Sequence, residues 1–284
     1  MRGYTALTAL CTWLLVIAGG LVTSNDAALS IPDWPLAWGR LIPPLEGNIR
    51  FEFAHRVLAA IVALMVTGLA IWLHAAEPRA WVRKLGWIAV AAVAAQVLLG
   101  GAAVLLVTPR PVTIAHASLA EICFGLVVAI LVGQSSLPAT HAPGPIPPIA
   151  AAALFLQTVL GAAVRHSATN VLPHLVGAVA ATALVMWAAL GIISRHMDDA
   201  PLCRLAALLL FLTFAQIFLG MAALMSRIAT ADAPQPMPVM IWSTVAHVAV
   251  GSLAFGAAIA MAMVVYWHPK PRQTDLLHGG MAVA

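Results

Sequence analysis

Four histidines, His55, His116, His174 and His247, stand at matching places in the two halves of a chain that is mostly apolar. An imidazole in hydrocarbon is costly unless it is paired or ligating, so each of the four marks a candidate site. His174 follows His55 by 119 residues and His247 follows His116 by 131. Glu52 lies three residues before His55, so its carboxylate shares a helix face with that imidazole. The corresponding place before His174 holds Val171. Two imidazoles from opposed helices suit axial ligation on both faces of a haem iron. Zinc would want three or four ligands converging on one point, and each half offers only two. A carboxylate beside one pair alone makes the first half the reactive one. The second half then reads as a plain bis-histidine electron-transfer centre.

The elements that must position these residues are transmembrane helices. Hydrophobic residues make up 62% of the 284 and charged residues only 8%, and the mean hydropathy is +0.98. Soluble domains carry about three times that charged fraction, so this composition belongs to an integral membrane protein. Apolar windows of about 20 residues, the length that crosses the hydrocarbon, fall near 4–24, 52–74, 84–107, 112–135, 148–168, 173–194, 204–226 and 241–266. The net charge of +4 is no sign of nucleic-acid binding, because the basic residues sort by side. Arg2, Arg79, Arg83, Lys84, Arg195, Arg204, Lys270 and Arg272 fall on one side, and Arg40, Arg50, Arg110, Arg165 and Arg227 on the other. The positive-inside rule then puts both termini in the cytoplasm and the chain in the cell membrane. The first window follows Met-Arg as a signal peptide would, but its alignment with the fifth makes it a retained helix. Cys11, Cys123 and Cys203 fall in or beside helices and read as small packing residues.

Internal repetition orders these helices. Ala95-Gln96 through Gly100 to Ala103 is echoed by Ala215-Gln216 through Gly220 to Ala223, at an offset of 120. Thr113-Ile114-Ala115-His116 is echoed by Thr244-Val245-Ala246-His247, and Phe124-Gly125 by Phe255-Gly256. An even number of helices per half gives both halves one orientation. The expected fold is an all-α integral membrane protein, eight transmembrane helices as two repeated four-helix bundles, residues 1–140 and 141–284. Helices two, four, six and eight start on the outer side, each with its histidine in the first two turns. The second and fourth helices of a half can then face each other across a bundle, where bundles build cofactor sites.

Other polar residues are fewer. Arg56, Arg110 and Arg165 lie near the outer mouths, where the carboxylates of a haem would lie and where a guanidinium suits them. Glu121, past His116 on another face of its helix, reads as a hydrogen-bonding partner for a neighbouring helix. Gly100, Gly101 and Gly220 permit close approach of a helix or of a flat macrocycle. His166 reads as a surface residue, and His74, His141, His196, His268 and His278 as inert. The outer segment of residues 25–50, with Trp34 and Trp38, reads as a structured cap at the membrane interface.

Together, Gly19-Gly20-Leu21-Val22, Pro32-Asp33-Trp34-Pro35, Glu46-Gly47-Asn48 and Phe51-Glu52-Phe53-Ala54-His55-Arg56 resemble the first half of the heme A synthase family. Gln96 to Gly101, His116, Gln157, Leu160-Gly161, Arg165-His166, His174 and His247 continue the resemblance through the second half. It implies an eight-helix oxidoreductase that converts a methyl group of heme O to the formyl group of heme A, for use by terminal oxidases. By that resemblance His55 and His116 hold the substrate haem with Glu52 near its reacting edge, and His174 and His247 hold haem b. Arg56 and Arg165 are the expected contacts of the haem carboxylates. The implied partners are heme O, an electron donor, heme O synthase and membrane lipid, with no nucleic acid. Some members carry a cysteine pair in the first outer loop. This chain has no cysteine there, so no thiol–disulfide step is available.

Two other readings compete. A diheme b-type membrane cytochrome would share the four histidines but gives no reason for a carboxylate in one half alone. A transporter would fit the repeat but calls for helices broken at mid-membrane, whereas the polar residues here cluster near one face.

Overall fold

The computed structural model describes residues 1–135 and 145–266. Within them run eight α-helices: α1 (Arg2–Ser24), α2 (Ile49–Ala76), α3 (Ala80–Leu105), α4 (Arg110–Gly133), α5 (Ile146–Arg165), α6 (Leu172–Arg195), α7 (Ala200–Ala229) and α8 (Pro238–Tyr266). All eight are long and apolar enough to cross a membrane. The chain is an all-α, multi-pass membrane protein. His141, His268, His278, Lys270, Arg272 and the expected boundary at residue 140 lie outside the described residues.

Local chemistry sets where the helices start. Proline occupies the first turn of α4, α5, α6 and α7, where its missing N–H costs nothing and its fixed φ suits the helix. Asp199 caps α7, its Oδ1 accepting from the Leu202 N–H at 3.0 Å. The eighth helix starts earlier than its apolar window, at Pro238, because Pro238 can open a helix that the polar residues before it cannot. His247 therefore lies in the third turn of α8, not the second.

Neighbour relations form two closed sets. In the first, α1 packs on α2, α2 on α3, α3 on α4 and α4 on α1. In the second, α5 packs on α6, α6 on α7, α7 on α8 and α8 on α5. One buried apolar cluster draws on α1–α4, with Val62, Leu69, Val82 and Ile130 at its centre. Another draws on α5–α8, with Val185, Ile192, Leu209 and Met261. Both clusters lie toward the helix ends away from the four histidines. The sets meet chiefly where α8 packs on α1 and α4, and α4 on α5. There the ring of Phe124 covers Gly256 and the ring of Phe255 covers Gly125, with Cε1 atoms 2.8 and 3.0 Å from where a Cβ would stand. Bulkier residues at those glycines would push α4 and α8 apart.

Candidate functional site

Each of the four histidines rests against a glycine of the helix before it. The Cε1 atom of His55 faces Gly19 on α1, that of His116 faces Gly100 on α3, that of His174 faces Gly161 on α5, and that of His247 faces Gly220 on α7. A Cβ on these glycines would stand 3.2, 3.1, 3.2 and 2.8 Å from the ring carbon. Glycine is what lets the Cε1 edge of an imidazole approach the neighbouring helix this closely. Gly100 and Gly220 were legible as sites of close approach, whereas Gly19 and Gly161 stood out only through the family motifs.

Glutamines hold three of these contacts. Gln96 donates its amide to the His116 carbonyl at 2.9 Å. Gln157 donates to the His174 carbonyl at 2.6 Å and lies 2.9 Å from His174 Nδ1. Gln216 lies 3.3 Å from His247 Nε2, and its own backbone carbonyl is 3.1 Å from His247 Nδ1.

The outer loop closes over the first set of helices only. Glu52, buried at the start of α2, accepts from Arg56 at 2.6 Å on one oxygen. Its other oxygen accepts from the Ser30 hydroxyl at 3.0 Å and the Ile31 N–H at 2.9 Å. Arg56 donates further to the carbonyls of Ile31, Asp33 and Leu36 at 3.0, 2.9 and 3.0 Å. Asp33 organises the turn beyond, accepting from the N–H groups of Trp38 at 2.6 Å and Gly39 at 2.7 Å. Those bonds, the Gly39 one foremost, and the Arg56 charge hold its carboxyl below the usual 3.8. From this loop Trp34 drops onto α3, its ring carbons 3.0 Å from where a Cβ of Gly101 would stand. At the equivalent place α7 carries Met221, which leaves no such seat. In the folded chain the side chains of Glu52 and Arg56 both bind this loop.

Arg165, at the end of α5, donates to the buried Ser24 hydroxyl of α1 at 2.7 Å and so links the two helix sets. His166 is half-buried rather than at the surface. Burial and the neighbouring Arg165 charge hold its imidazole below the usual 6.5. Glu121 is buried and accepts from Ser252 of α8 at 2.6 Å, while its second oxygen has no hydrogen-bond partner. His74 meets Trp87 edge-on.

In the second set the imidazoles of His174 and His247 face each other with centroids 6.1 Å apart and planes at 86°. Two imidazoles that each bind one metal ion at about 2 Å need ring centroids about 6 Å apart, so His174 and His247 would be the residues to hold an iron-bearing group in this half. Among the described residues no group of three or more His, Cys, Asp or Glu is gathered as a compact metal cage would need. All four histidines are half-buried, and the packed cores lie at the other end of the helices. The four imidazoles and the glycines that face them would be the residues to hold such an iron-bearing group.

Residues 45–128, which contain Glu52, His55, Arg56, Gln96, Gly100 and His116, match the family model described as cytochrome oxidase assembly protein. Among curated relatives, one named heme A synthase from Symbiobacterium thermophilum is 30% identical over 168 residues, 54% of this chain and 55% of the relative. That of Exiguobacterium sp. is 29% identical over 133 residues, 45% of this chain and 44% of the relative. That of Lysinibacillus sphaericus is 34% identical over 108 residues, covering 35% and 34%. These matches support the heme A synthase family. The chain spans about half the length, or less, of these relatives in the matched region.

Proposed function

We propose that this chain is a heme A synthase, an oxidoreductase that converts a methyl group of heme O to a formyl group and so supplies heme A to terminal oxidases. Heme O is the substrate, held between His55 and His116 in the half formed by residues 1–140. Haem b is the resident group, held between His174 and His247 in the half formed by residues 141–284, where it supplies one-electron redox chemistry. An electron donor and heme O synthase are the proposed partners. The termini are proposed to face the cytoplasm and the chain to lie in the cell membrane.

The observation that carries this reading is the one-sided loop. A protein that only passes electrons through two like haems has no use for a cover on one of them. Here the Glu52–Arg56 pair fastens such a cover beside His55, and Trp34 fills the seat that Gly101 leaves. A cover there would limit water at the face on which a methyl group reacts. Because both Glu52 oxygens are engaged by the chain, Glu52 acts as a positioning residue through the loop it holds. Arg165, with only one donor on Ser24, has N–H groups left for an anionic haem substituent.

Extraction and chromatography of the haems from protein purified from cells that make heme O tests this reading. Heme A or heme O beside haem b is the expected result. Haem b alone, at two per chain, would establish the diheme cytochrome instead.

A further inference from the structure

At the histidine end of the second helix set, two guanidiniums stand without a paired carboxylate. Arg165 closes α5 and Arg227 lies in the last turn of α7. Arg165 is half-buried and donates to Ser24, while Arg227 is exposed. Neither joins an ion pair among the described residues, where the pairs formed are Arg56–Glu52 and Arg79–Glu77. The Arg227 charge acts on Arg165, so the two lie near one another at the mouth of the bundle. Asp26 also acts on Arg165, but from beyond ion-pair distance. A guanidinium is charged at any working pH, and burying a charge without a partner is costly. A second charge of the same sign beside it adds to that cost, and an anion bound between them would offset it.

The packing order of the helices says which anion. In the second set α5, α6, α7 and α8 each pack on the next and α8 returns to α5, so α6 and α8 stand on one diagonal and α5 and α7 on the other. His174 and His247 face each other along the first diagonal. A planar group ligated on both faces by that pair has its edges toward α5 and α7. Arg165 lies four residues past Gly161, and Arg227 seven past Gly220. Both therefore stand above the level of the imidazoles, by about 6 and about 10 Å along their helices. We propose that Arg165 and Arg227 together bind the carboxylate side chains of the haem held in the second half. The inference rests on the haem-binding reading above and assigns Arg227 a part in it. The corresponding places in the first half hold Thr23 and Val107. Arg56 there is committed to Glu52 and to loop carbonyls, which leaves Arg110 at the start of α4. The paired clamp thus belongs to the half proposed to keep its haem.

The test uses the full chain purified with its haems, and compares Arg227→Gln, Arg227→Lys and Arg165→Gln with the parent. Arg195→Gln, which removes one positive charge at the other end of the same half, is the control. Two readouts are followed: the resonance Raman bending band of the haem carboxylates, and the rate at which haem b passes to an excess of a haem-scavenging protein. Arg227→Gln and Arg165→Gln should each shift the band and speed haem b loss about 10-fold or more, the effect of losing a hydrogen bond to a charged group. Arg227→Lys keeps the charge without the planar fork and should fall between Arg227→Gln and the parent. Arg195→Gln should change neither readout, and the low-spin signal should persist in all four variants. Because Arg165→Gln also removes the bond to Ser24, Arg227→Gln decides. An unchanged band and an unchanged rate in Arg227→Gln would overturn the inference. So would loss of co-purified phospholipid phosphate in that variant with the haem band unmoved, which would assign the pair to lipid headgroups. A parent protein without a bis-histidine low-spin haem would instead overturn the reading on which it rests.

Discussion

The Cε1 atom of His247 lies 2.8 Å, and its Nδ1 3.2 Å, from the point that a Cβ on Gly220 would occupy. Both separations are shorter than a carbon can hold without displacing the ring. The imidazole is wedged between this glycine and the facing ring of His174, and it also meets the Gln216 carbonyl. An added Cβ at position 220 would therefore push the ring toward His174 and off its present alignment.

Gly220→Ala is thus expected to remove the low-spin haem b spectrum while the protein still inserts and folds. Alanine favours a helix over glycine by about 1 kcal/mol, so a weaker α7 cannot be the cause of the loss. Gly161→Ala, at 3.2 Å from His174, should have a smaller effect. Gly191→Ala, where an added Cβ meets nothing within 4 Å, should have none. His174→Ala and His247→Ala set the full-loss reference. Equal haem b content in Gly220→Ala and Gly191→Ala would refute the seat.

The loop over the first half should be separable from haem binding. Glu52→Ala removes the acceptor shared by Arg56, Ser30 and Ile31 and leaves a guanidinium without its counter-charge. Formation of heme A in cells supplied with heme O should fall by an order of magnitude or more, about what loss of an ordered, water-excluding site costs, while haem b content is unchanged. Ser30→Ala removes one of the three donors and should fall between Glu52→Ala and the parent. Limited proteolysis in the loop should follow the same order. Asp33 adds a pH signature. Its folded carboxyl sits below the usual 3.8, so its hold on the Trp38–Gly39 turn is complete above that value and fails only as the pH falls through the lowered one. Cleavage at this turn should be the same at pH 7 and pH 5 and rise below about pH 4. Cleavage that rises already near pH 6 would assign the turn to another group.

How far the sequence carried this picture depends on the range of the interactions involved. Helices α1–α8 were legible because an apolar window is a local property, and the histidines because a polar group in such a window stands out. The turn from Asp33 to Gly39 was not, since it depends on a guanidinium 23 residues from Asp33 reaching back to loop carbonyls. Gly19 and Gly161 look like any glycine in an apolar helix until the opposing imidazole is placed beside them. Glu121 was expected to bond a neighbouring helix, but its partner, 131 residues away, follows only once α4 and α8 are packed. Nor could spacing tell that Arg56, one turn from Glu52 on the same helix, would turn to the loop rather than to a ligand.

Sidedness can be tested at two exposed positions. Glu77, just past the C-terminal end of α2, is a poor probe because it is buried and paired with Arg79 at 2.6 Å. Asn48 and Asp198 are exposed and lie at opposite ends of the helix array. After replacement of Cys11, Cys123 and Cys203, a cysteine at position 48 should react with an impermeant thiol reagent in intact cells and one at 198 should not. Labelling at 198 alone would invert the orientation, and with it the side from which the haems are reached.

Glu121 and Ser252 hold the same place in their halves, since Ser252 follows Glu121 by the 131 residues that separate the two later histidines, and they meet at 2.6 Å where α4 packs on α8. Ser252 also donates to the Val248 carbonyl at 3.1 Å, so it has another acceptor if the carboxyl is lost. Glu121 does not, because its other oxygen is already without a partner. The two single changes should therefore differ. Ser252→Ala strands a fully buried carboxyl and should cost about 1–3 kcal/mol, seen as a lower Tm in detergent. Glu121→Leu removes the stranded group, leaves Ser252 bonded within α8, and should cost less. In the double variant both polar partners are gone, and such replacement by apolar groups is often close to neutral. The double variant should thus be more stable than Ser252→Ala alone, a non-additivity that marks direct coupling. Additive losses would mean that the contact contributes nothing to holding α4 against α8.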